Sequence, residues 1–334
     1  MRLAFIGSKE LGLTALRALL ANESVTVVQV ISFDDSTDSR SKLSEFKEAS
    51  SAAGLDCALL NTETLAAVNH SLAALLEHSR PDIVFALGWY WKITVEVLSM
   101  ARIGFYGIHA GDLPRYKGSS PIVWAMLQGE ENIGVSFFRF ANELDKGEVY
   151  AKRYINSKDR YIAEVLNDIQ ACLPELLRKG IENVAARKYV TDLPDDDYLY
   201  YLQRTDEDGK IQWLQPAVQI VRLIRALSKP YGGAWFAYEG AKIRVFKAEL
   251  VESKYRFVGA PGTVHYVGRN FVKVLAGDGR TMRLEQLELL DAQVETFDFS
   301  CTHSRCTPSS AFAGRVSFMR QTISTRKSPH APSP

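Results

Sequence analysis

Hydrophobic positions along the first third of the chain follow two alternating periods. Leu3-Ala4-Phe5-Ile6 is an unbroken apolar run closed by Gly7, and Leu13, Leu16, Leu19 and Leu20 then recur at helical spacing. Residues 25–33 are rich in β-branched side chains and predict a second strand. The polar stretch 34–40 leads into a predicted helix over 43–53. Residues 65–76 predict another helix, and 83–87 a strand apolar on both faces. Strands of this kind, interleaved with helices, are what a parallel sheet covered on both sides requires. Residues 134–140 and 149–155, separated by a polar turn, predict strands that extend the sheet. Residues 162–186 predict a long helix that Pro174 should kink or break.

The pattern changes near residue 190. Asp192–Asp197 is an acidic, proline-containing connection that predicts a linker, and residues 215–228 predict a helix with Val218, Val221, Ile224 and Leu227 near one face. Short alternating runs separated by glycines follow, at 234–238, 243–250, 262–267, 271–275 and 282–289. They predict a small antiparallel barrel or sheet. From about residue 293 the periodicity fades, and no acidic residue follows Asp298 while Arg305, Arg315, Arg320, Arg326 and Lys327 remain. The expected organisation is therefore α/β. A Rossmann-like, mostly parallel domain spans 1–190, a smaller β-rich, OB-like domain with its connecting helix spans 191–292, and a basic tail expected to be disordered spans 293–334.

Composition narrows the possibilities. The 334 residues, 46% hydrophobic and 24% charged, are enough for about two domains with sizeable cores. A net charge of +1 gives no global field to recruit nucleic acid or a membrane, so an anionic partner needs a local site. No window reads as a membrane span, and the apolar start, broken by Lys9 and Glu10, does not read as a signal peptide. Four scattered cysteines, Cys57, Cys172, Cys301 and Cys306, suit a reducing cytosol, so a cytoplasmic location is expected.

Three stretches are candidate chemistry. Gly7-Ser8-Lys9-Glu10-Leu11-Gly12 follows a strand and opens a helix, as a phosphate loop would, but has neither the GxGxxG nor the GK[ST] pattern. A tight strand-to-helix turn explains it. Cys301-Thr302-His303-Ser304-Arg305-Cys306 offers three metal ligands where zinc usually needs four, so no metal is expected. The third stretch, Gly104 to Tyr150, is the informative one. It holds Gly107-Ile108-His109-Ala110-Gly111-Asp112-Leu113-Pro114-Arg115-Tyr116-Lys117-Gly118, then Pro121, Trp124 and Gly129-Glu130, then Gly134-Val135 and Leu144-Asp145-Lys146-Gly147-Glu148. One histidine sits beside a loop rich in Gly and Pro, and an aspartate occupies a later turn with a glycine two places on. By residue type alone, His109 is equally a buried structural histidine or a functional one, and Asp145 equally a turn former.

Taken together, these residues resemble the folate-dependent formyltransferase family, which includes methionyl-tRNA formyltransferases, the formyltransferase half of the bifunctional polymyxin-resistance enzyme, and sugar N-formyltransferases. The family signature is similar to N-x-H-x-S-L-L-P-x-Y-R-G-x-x-P-x-x-W-A, then G-E, T-G-V and D-x-G. It is matched here by His109, Leu113, Pro114, Tyr116, Gly118, Pro121, Trp124, Ala125, Gly129, Glu130, Gly134, Val135, Asp145 and Gly147. Arg204-Thr205, Asp208-Gly209, Trp213, Pro230-Tyr231 and Gly277-Asp278-Gly279 continue the match, which spans roughly residues 1–290.

The resemblance implies transfer of a formyl group from 10-formyltetrahydrofolate, a cosubstrate, to a primary amine, with no metal. Three groups usually carry the reaction: the Asn and His of N-x-H and the Asp of D-x-G. His109 and Asp145 carry over, whereas Gly107 stands where the Asn is usual. The resemblance further implies that Leu87, Gly88 and Trp89 face the pterin, and that the altered loop with Gly111, Leu113 and Pro114 lies on the folate side. Lys117, at the Arg position of Y-R-G, is expected to make at most a surface contact with substrate. An amide donor to the tetrahedral oxyanion is worth about 2.7–4 kcal/mol of barrier, so its loss has to be met by His109, a backbone N–H of the 107–111 loop or a water.

Two acceptors compete. Gripping tRNA needs a basic face, whereas residues 34–40 and Asp195-Asp196-Asp197 are acidic. A nucleotide-linked amino sugar needs an aromatic surface and one or two cations, which Tyr198, Tyr200, Tyr201, Arg204, Arg222 and Arg225 could supply. The sugar is the expected acceptor. A methionyl-tRNA formyltransferase, a non-catalytic paralogue that lost the Asn, and a hydrolase using water as acceptor are the alternatives. The sequence does not give the oligomeric state.

Overall fold

The structure, a computed structural model, describes residues 1–190, 199–238 and 241–289. The predicted acidic linker, Tyr198, the Cys301–Cys306 stretch and the basic tail lie outside the described residues. Two compact units are present, Met1–Arg204 and a second beginning at Thr205, so the division falls later than the 190/191 boundary read from composition.

The first unit runs β1 (Arg2–Gly7), α1 (Lys9–Leu20), β2 (Thr26–Phe33), α2 (Leu43–Ala52), β3 (Cys57–Leu60), α3 (Leu65–Ser79), β4 (Ile83–Leu87), α4 (Val95–Leu98), β5 (Gly104–His109), β6 (Lys117–Gly118), α5 (Pro121–Gln128), β7 (Asn132–Arg139), β8 (Val149–Asn156), α6 (Ile162–Ala185) and β9 (Tyr200–Tyr201). Seven strands form one sheet in the order β3-β2-β1-β4-β5-β7-β8. The first five are parallel, and β7 and β8 add antiparallel at the β5 edge. The Rossmann-like expectation therefore holds.

Burial of both sheet faces explains the unbroken apolar strands. On one face Phe5, Phe85, Phe137 and Tyr106 form a ladder of stacked rings, with Phe46 of α2 against Phe5. On the other, Ala4, Ile6, Val84, Ala86 and Phe105 pack with Leu72 and Leu76 of α3 and Val97 of α4. Helix α6 is continuous across Pro174, so the expected break is absent: its buried stripe, including Val165, Ile169, Leu173, Leu177 and Ile181, holds it against the sheet on both sides of the proline.

The second unit runs α7 (Ala217–Leu227), β10 (Ala234–Tyr238), β11 (Ala241–Leu250), β12 (Val264–Val267), β13 (Phe271–Leu275) and β14 (Thr281–Leu289). Its five strands form an antiparallel sheet in the order β10-β11-β14-β13-β12, and α7 buries Ile220, Val221 and Ile224 against it. The buried stripe of α7 includes Ile220 rather than Val218, a one-face rotation from the sequence reading.

Strand order also fixes where a ligand can sit. In open α/β sheets ligands occupy the crevice at the carboxyl ends of strands where the order reverses, here between β1 and β4. That crevice is sutured: the Ser8 N–H donates to Leu87 O at 3.2 Å and the Ser8 hydroxyl to Gly88 O at 2.7 Å. Residues 7–12 are thus a strand-to-helix turn, and the Ser8 amide that a phosphate would need is already committed.

Candidate active site

The chemistry-bearing residues gather around the carboxyl end of β5. Side chains alternate along a strand, so Phe105, Gly107 and His109 share one face, opposite Phe138 and Ser136 of β7 (Gly107↔Phe138, His109↔Ser136). His109 ends β5 and is 9% exposed. Its ring meets Phe138 edge-on, its Nε2 lies within hydrogen-bond distance of the Tyr116 carbonyl, and its Nδ1 is 3.7 Å from Asp145 Oδ2. Because Tyr116 O can only accept, Nε2 carries a proton and donates it there. The 3.7 Å approach is ion-pair distance rather than a direct hydrogen bond.

Asp145 sits in the β7–β8 connection, 8% exposed, with φ +54°. A non-glycine residue in the left-handed region costs energy, least for Asn and Asp, and such conformations cluster at functional positions. The conformation is held by the Gly118 N–H, which donates to Asp145 Oδ2 at 2.8 Å, and by the glycine two residues on. A Cβ at Gly147 would lie 1.6 Å from Arg139 O, so only glycine lets the turn close on β7. The D-x-G pattern is this packing requirement.

The segment between β5 and α5 is pinned along its length. Lys152 Nζ donates to Asp112 Oδ1 at 2.8 Å, and the Tyr154 hydroxyl donates to the same oxygen. Leu113 is fully buried against Phe138 and Val149, so the side chain expected to line the folate side is instead a core plug. Pro114 follows it through a cis peptide bond. Arg115 pairs with Glu130 at 2.7 Å, and the Tyr116 hydroxyl reaches Gln128 and Glu130 at 3.0 Å. Lys117 and Gly118 pair as β6 with Tyr200 and Tyr201 of β9.

Lys117 corrects the sequence reading. Its side chain is buried, 1% exposed, rather than a surface contact, with Nζ 5.7 Å above the Tyr200 ring. Burial and the neighbouring Lys146 push its pKa down, against the pull of Asp145 and Glu143. Tyr201 is likewise engaged: its ring stacks on Tyr116 at 4.9 Å and lies 5.8 Å from Trp124, and its hydroxyl accepts from Gln128 Nε2. A ring so covered holds the 199–204 segment to the first unit rather than offering a base a free face. Arg204 lies over Trp124 at 4.7 Å. Arg225 is on α7 of the second unit, and so is not brought together with Tyr201 and Arg204 within one unit.

Leu87 ends β4, and its carbonyl, like that of Gly88, is bonded to Ser8. Trp89 packs with Trp91, its indole N–H donating to the Trp91 carbonyl, while Tyr90 is exposed beside Phe33.

Both glycine departures have a steric cause in this chain. A Cβ at Gly107 would lie 2.6 Å from Phe140 Cε1 and 2.7 Å from Ala86 O. A Cβ at Gly111 would lie 2.6 Å from His109 Nε2 and 2.7 Å from Tyr116 O. Phe140 therefore stands over the place of a side chain at 107, and the imidazole reaches the Tyr116 carbonyl through the space a side chain at 111 would fill. Sequence reasoning missed Phe140 because it closes the predicted strand 134–140, where an apolar side chain reads as core; the observed strand ends one residue earlier, at Arg139. Gly107 lies within β5 between Ala86 and Phe138, not in a loop, so its backbone belongs to the sheet ladder.

Among the described residues no group of three or more His, Cys, Asp or Glu is arranged to hold a metal ion, and no helix is long and apolar enough to cross a membrane.

The family profile "Formyl transferase" matches residues 1–171, and "Formyl transferase, C-terminal domain" matches 204–298. The chain belongs to the formyl transferase family. The transferase is 29% identical over 257 residues to a methionyl-tRNA formyltransferase of Caldanaerobacter subterraneus, covering 75% of this chain and 82% of that one. Its fold is similar to that of an N-formyltransferase from Helicobacter canadensis solved with folinic acid and dTDP-3-aminofucose. That match has a TM-score of 0.61 and 17% identity, over 85% of this chain and 98% of the other. It is also similar to HypX from Aquifex aeolicus in complex with tetrahydrofolic acid, with a TM-score of 0.57 and 19% identity. That match covers 87% of the transferase but only 44% of HypX.

Proposed function

We propose that the chain transfers a formyl group from 10-formyltetrahydrofolate to the primary amine of a nucleotide-linked amino sugar. The neutral amine attacks the formyl carbon, forming a C–N bond and a tetrahedral oxyanion. Asp145 Oδ2 already takes the Gly118 amide and faces His109, which leaves Oδ1 as the oxygen to accept the amine's proton. The Nε2 proton of His109, resting on the Tyr116 carbonyl, is the side-chain donor that turns to the oxyanion. Collapse breaks the bond to the donor nitrogen, which leaves with the electron pair and takes up the proton that Asp145 accepted from the amine. Holding both substrates in one cleft supplies much of the acceleration. With no side chain at Gly107, electrostatic stabilisation of the intermediate rests on His109.

The observation that supports a small acceptor is the charge pairing at the β1–β2 end of the first unit. Lys9 is bound to Asp35 at 2.7 Å and Asp38 at 2.9 Å, Arg40 to Asp38, and Lys42 to Glu45 and Glu10. These three cations are each held by a carboxylate, and an RNA phosphate would have to displace it. A specific feature of the second unit favours the alternative, tRNA. Lys254-Tyr255-Arg256-Phe257-Val258 is an exposed basic and aromatic loop, and Phe257 stacks on His265; such loops suit nucleic acid. Product mass after incubation of the donor with amino-sugar nucleotides or with aminoacyl-tRNA decides between them. Formylated sugar nucleotide is expected. Formylated aminoacyl-tRNA, with binding that weakens steeply as salt rises, would reverse the assignment.

A further inference from the structure

The face of β5 that carries His109 has an empty place at Gly107, and the structure fills it from the neighbouring strand. Phe140 follows β7 directly, its backbone N–H donating to Phe105 O at 2.8 Å. Its ring packs on Phe138 at 5.2 Å, and Phe138 in turn meets the His109 ring edge-on. Phe140 packs against two apolar clusters, one under α3 and α4 and one formed by Leu113, Phe138 and Val149. Its Cε1 and Cζ atoms are the nearest side-chain neighbours of the missing Cβ of Gly107, at 2.6 and 3.0 Å.

A glycine that merely lost its side chain would leave a hole beside the histidine. The Ala86 carbonyl, 2.7 Å from that Cβ position, gives such a hole a polar wall that a water can bond to. The phenyl ring removes that hole. Water at this place would be a competing nucleophile: its attack on the formyl carbon breaks the bond to the donor nitrogen, releases formate, and returns the electron pair and a proton to that nitrogen. A dry wall also strengthens the remaining electrostatic interactions of the site.

We propose that Phe140 is a positioning residue of the transfer reaction, its ring occupying the space vacated at Gly107 and excluding water from the reacting formyl group beside His109. This rests on the formyl-transfer reading above, and two readouts keep the two separable.

The first readout uses no substrate. Gly107→Ala, Phe140→Ala and the double variant are compared by denaturant unfolding, with Phe140→Leu as a volume-keeping control. The Gly107→Ala methyl is forced against the ring only while the ring is present. The double variant is therefore expected to be more stable than additivity predicts by about tenfold in the unfolding equilibrium, within the coupling typical of side chains in contact. Additive effects would overturn the packing. The second readout is formate release from 10-formyltetrahydrofolate without any amine, and the ratio of formate to formylated product with one. Phe140→Ala is expected to release formate and lose yield per donor consumed, while Phe140→Leu stays near wild type in both. An unchanged formate-to-product ratio in Phe140→Ala would overturn the water-excluding role. Coupled unfolding in a wild-type protein that neither hydrolyses donor nor formylates any amine would uphold the packing, overturn that role and refute the transfer reading as well.

Discussion

Placing a methyl group at Gly111 tests whether the position of the His109 ring matters to the reaction. The Cβ of Gly111→Ala would lie 2.6 Å from His109 Nε2 and 2.7 Å from Tyr116 O, where ordinary contact begins at 3.4 Å. The carbonyl cannot yield easily, because Tyr116 is tied through its hydroxyl to Gln128 and Glu130, stacked on Tyr201, and followed by the β6–β9 pairing. The imidazole must therefore move, by roughly 0.8 Å or more, the difference between 2.6 and 3.4 Å. A displacement of about 1 Å at a reacting group costs about 10²-fold in rate, or roughly 2.7 kcal/mol of barrier. Overpacking adds about 1–3 kcal/mol of lost stability. The assay is kcat/KM for formyl transfer on folded protein, with denaturant unfolding alongside. In a His109→Ala background the same substitution is expected to cost no further activity. An unchanged kcat/KM for Gly111→Ala in the wild-type background would refute the claim that the ring's resting place is part of the mechanism.

Other expectations follow from the same contacts. Asp145→Asn keeps an acceptor for the Gly118 amide and tolerates φ +54°, so folding is expected to survive. Loss of the proton acceptor should cost about 10²–10⁴-fold in kcat, measured by steady-state transfer. Leu113→Ala empties a fully buried site beside Phe138 and Val149 and should cost about 2–5 kcal/mol in a denaturant titration. Burial and Lys273 hold the His265 pKa below 6.5 in the folded chain, where its ring stacks on Phe257 and contacts Thr281. Below 6.5 and down to that lowered value the unfolded chain binds more protons, so stability is full above the window and falls as pH drops through it. His265→Gln should lose less stability than wild type between about pH 7.5 and about pH 5.5, by denaturant unfolding at each pH.

The fold was legible in the sequence wherever burial set the pattern. Ile83–Leu87, Ala234–Tyr238 and Phe271–Leu275 appear at the predicted positions because apolar runs bounded by turn residues admit few alternatives. Strand β5 was missed: Gly104 and Gly107 lower its strand propensity, and its pairing with both β4 and β7 overrides that deficit. The two-residue pair β6–β9 was invisible because its partners lie far apart in the chain. Within the site, residue types alone left His109 and Asp145 open, the family resemblance pointed to them, and tertiary packing brings the two together. Contacts across strands and loops were not legible. The burial of Lys117, the engagement of Tyr201 by Tyr116 and Trp124, and the ring of Phe140 over Gly107 each depend on a neighbour distant in sequence.

The central claim is that His109 and Asp145 act as one unit in moving a formyl group to an amine. The direct measurement is a double-mutant cycle on transfer of an isotope-labelled formyl group to an amino-sugar nucleotide, followed by product mass, for wild type, His109→Ala, Asp145→Ala and the double variant. Each single variant is expected to lose at least about 10²-fold in rate, and the double variant little more than either, as groups acting together do. Full transfer by His109→Ala, or losses that multiply in the double variant, would contradict it.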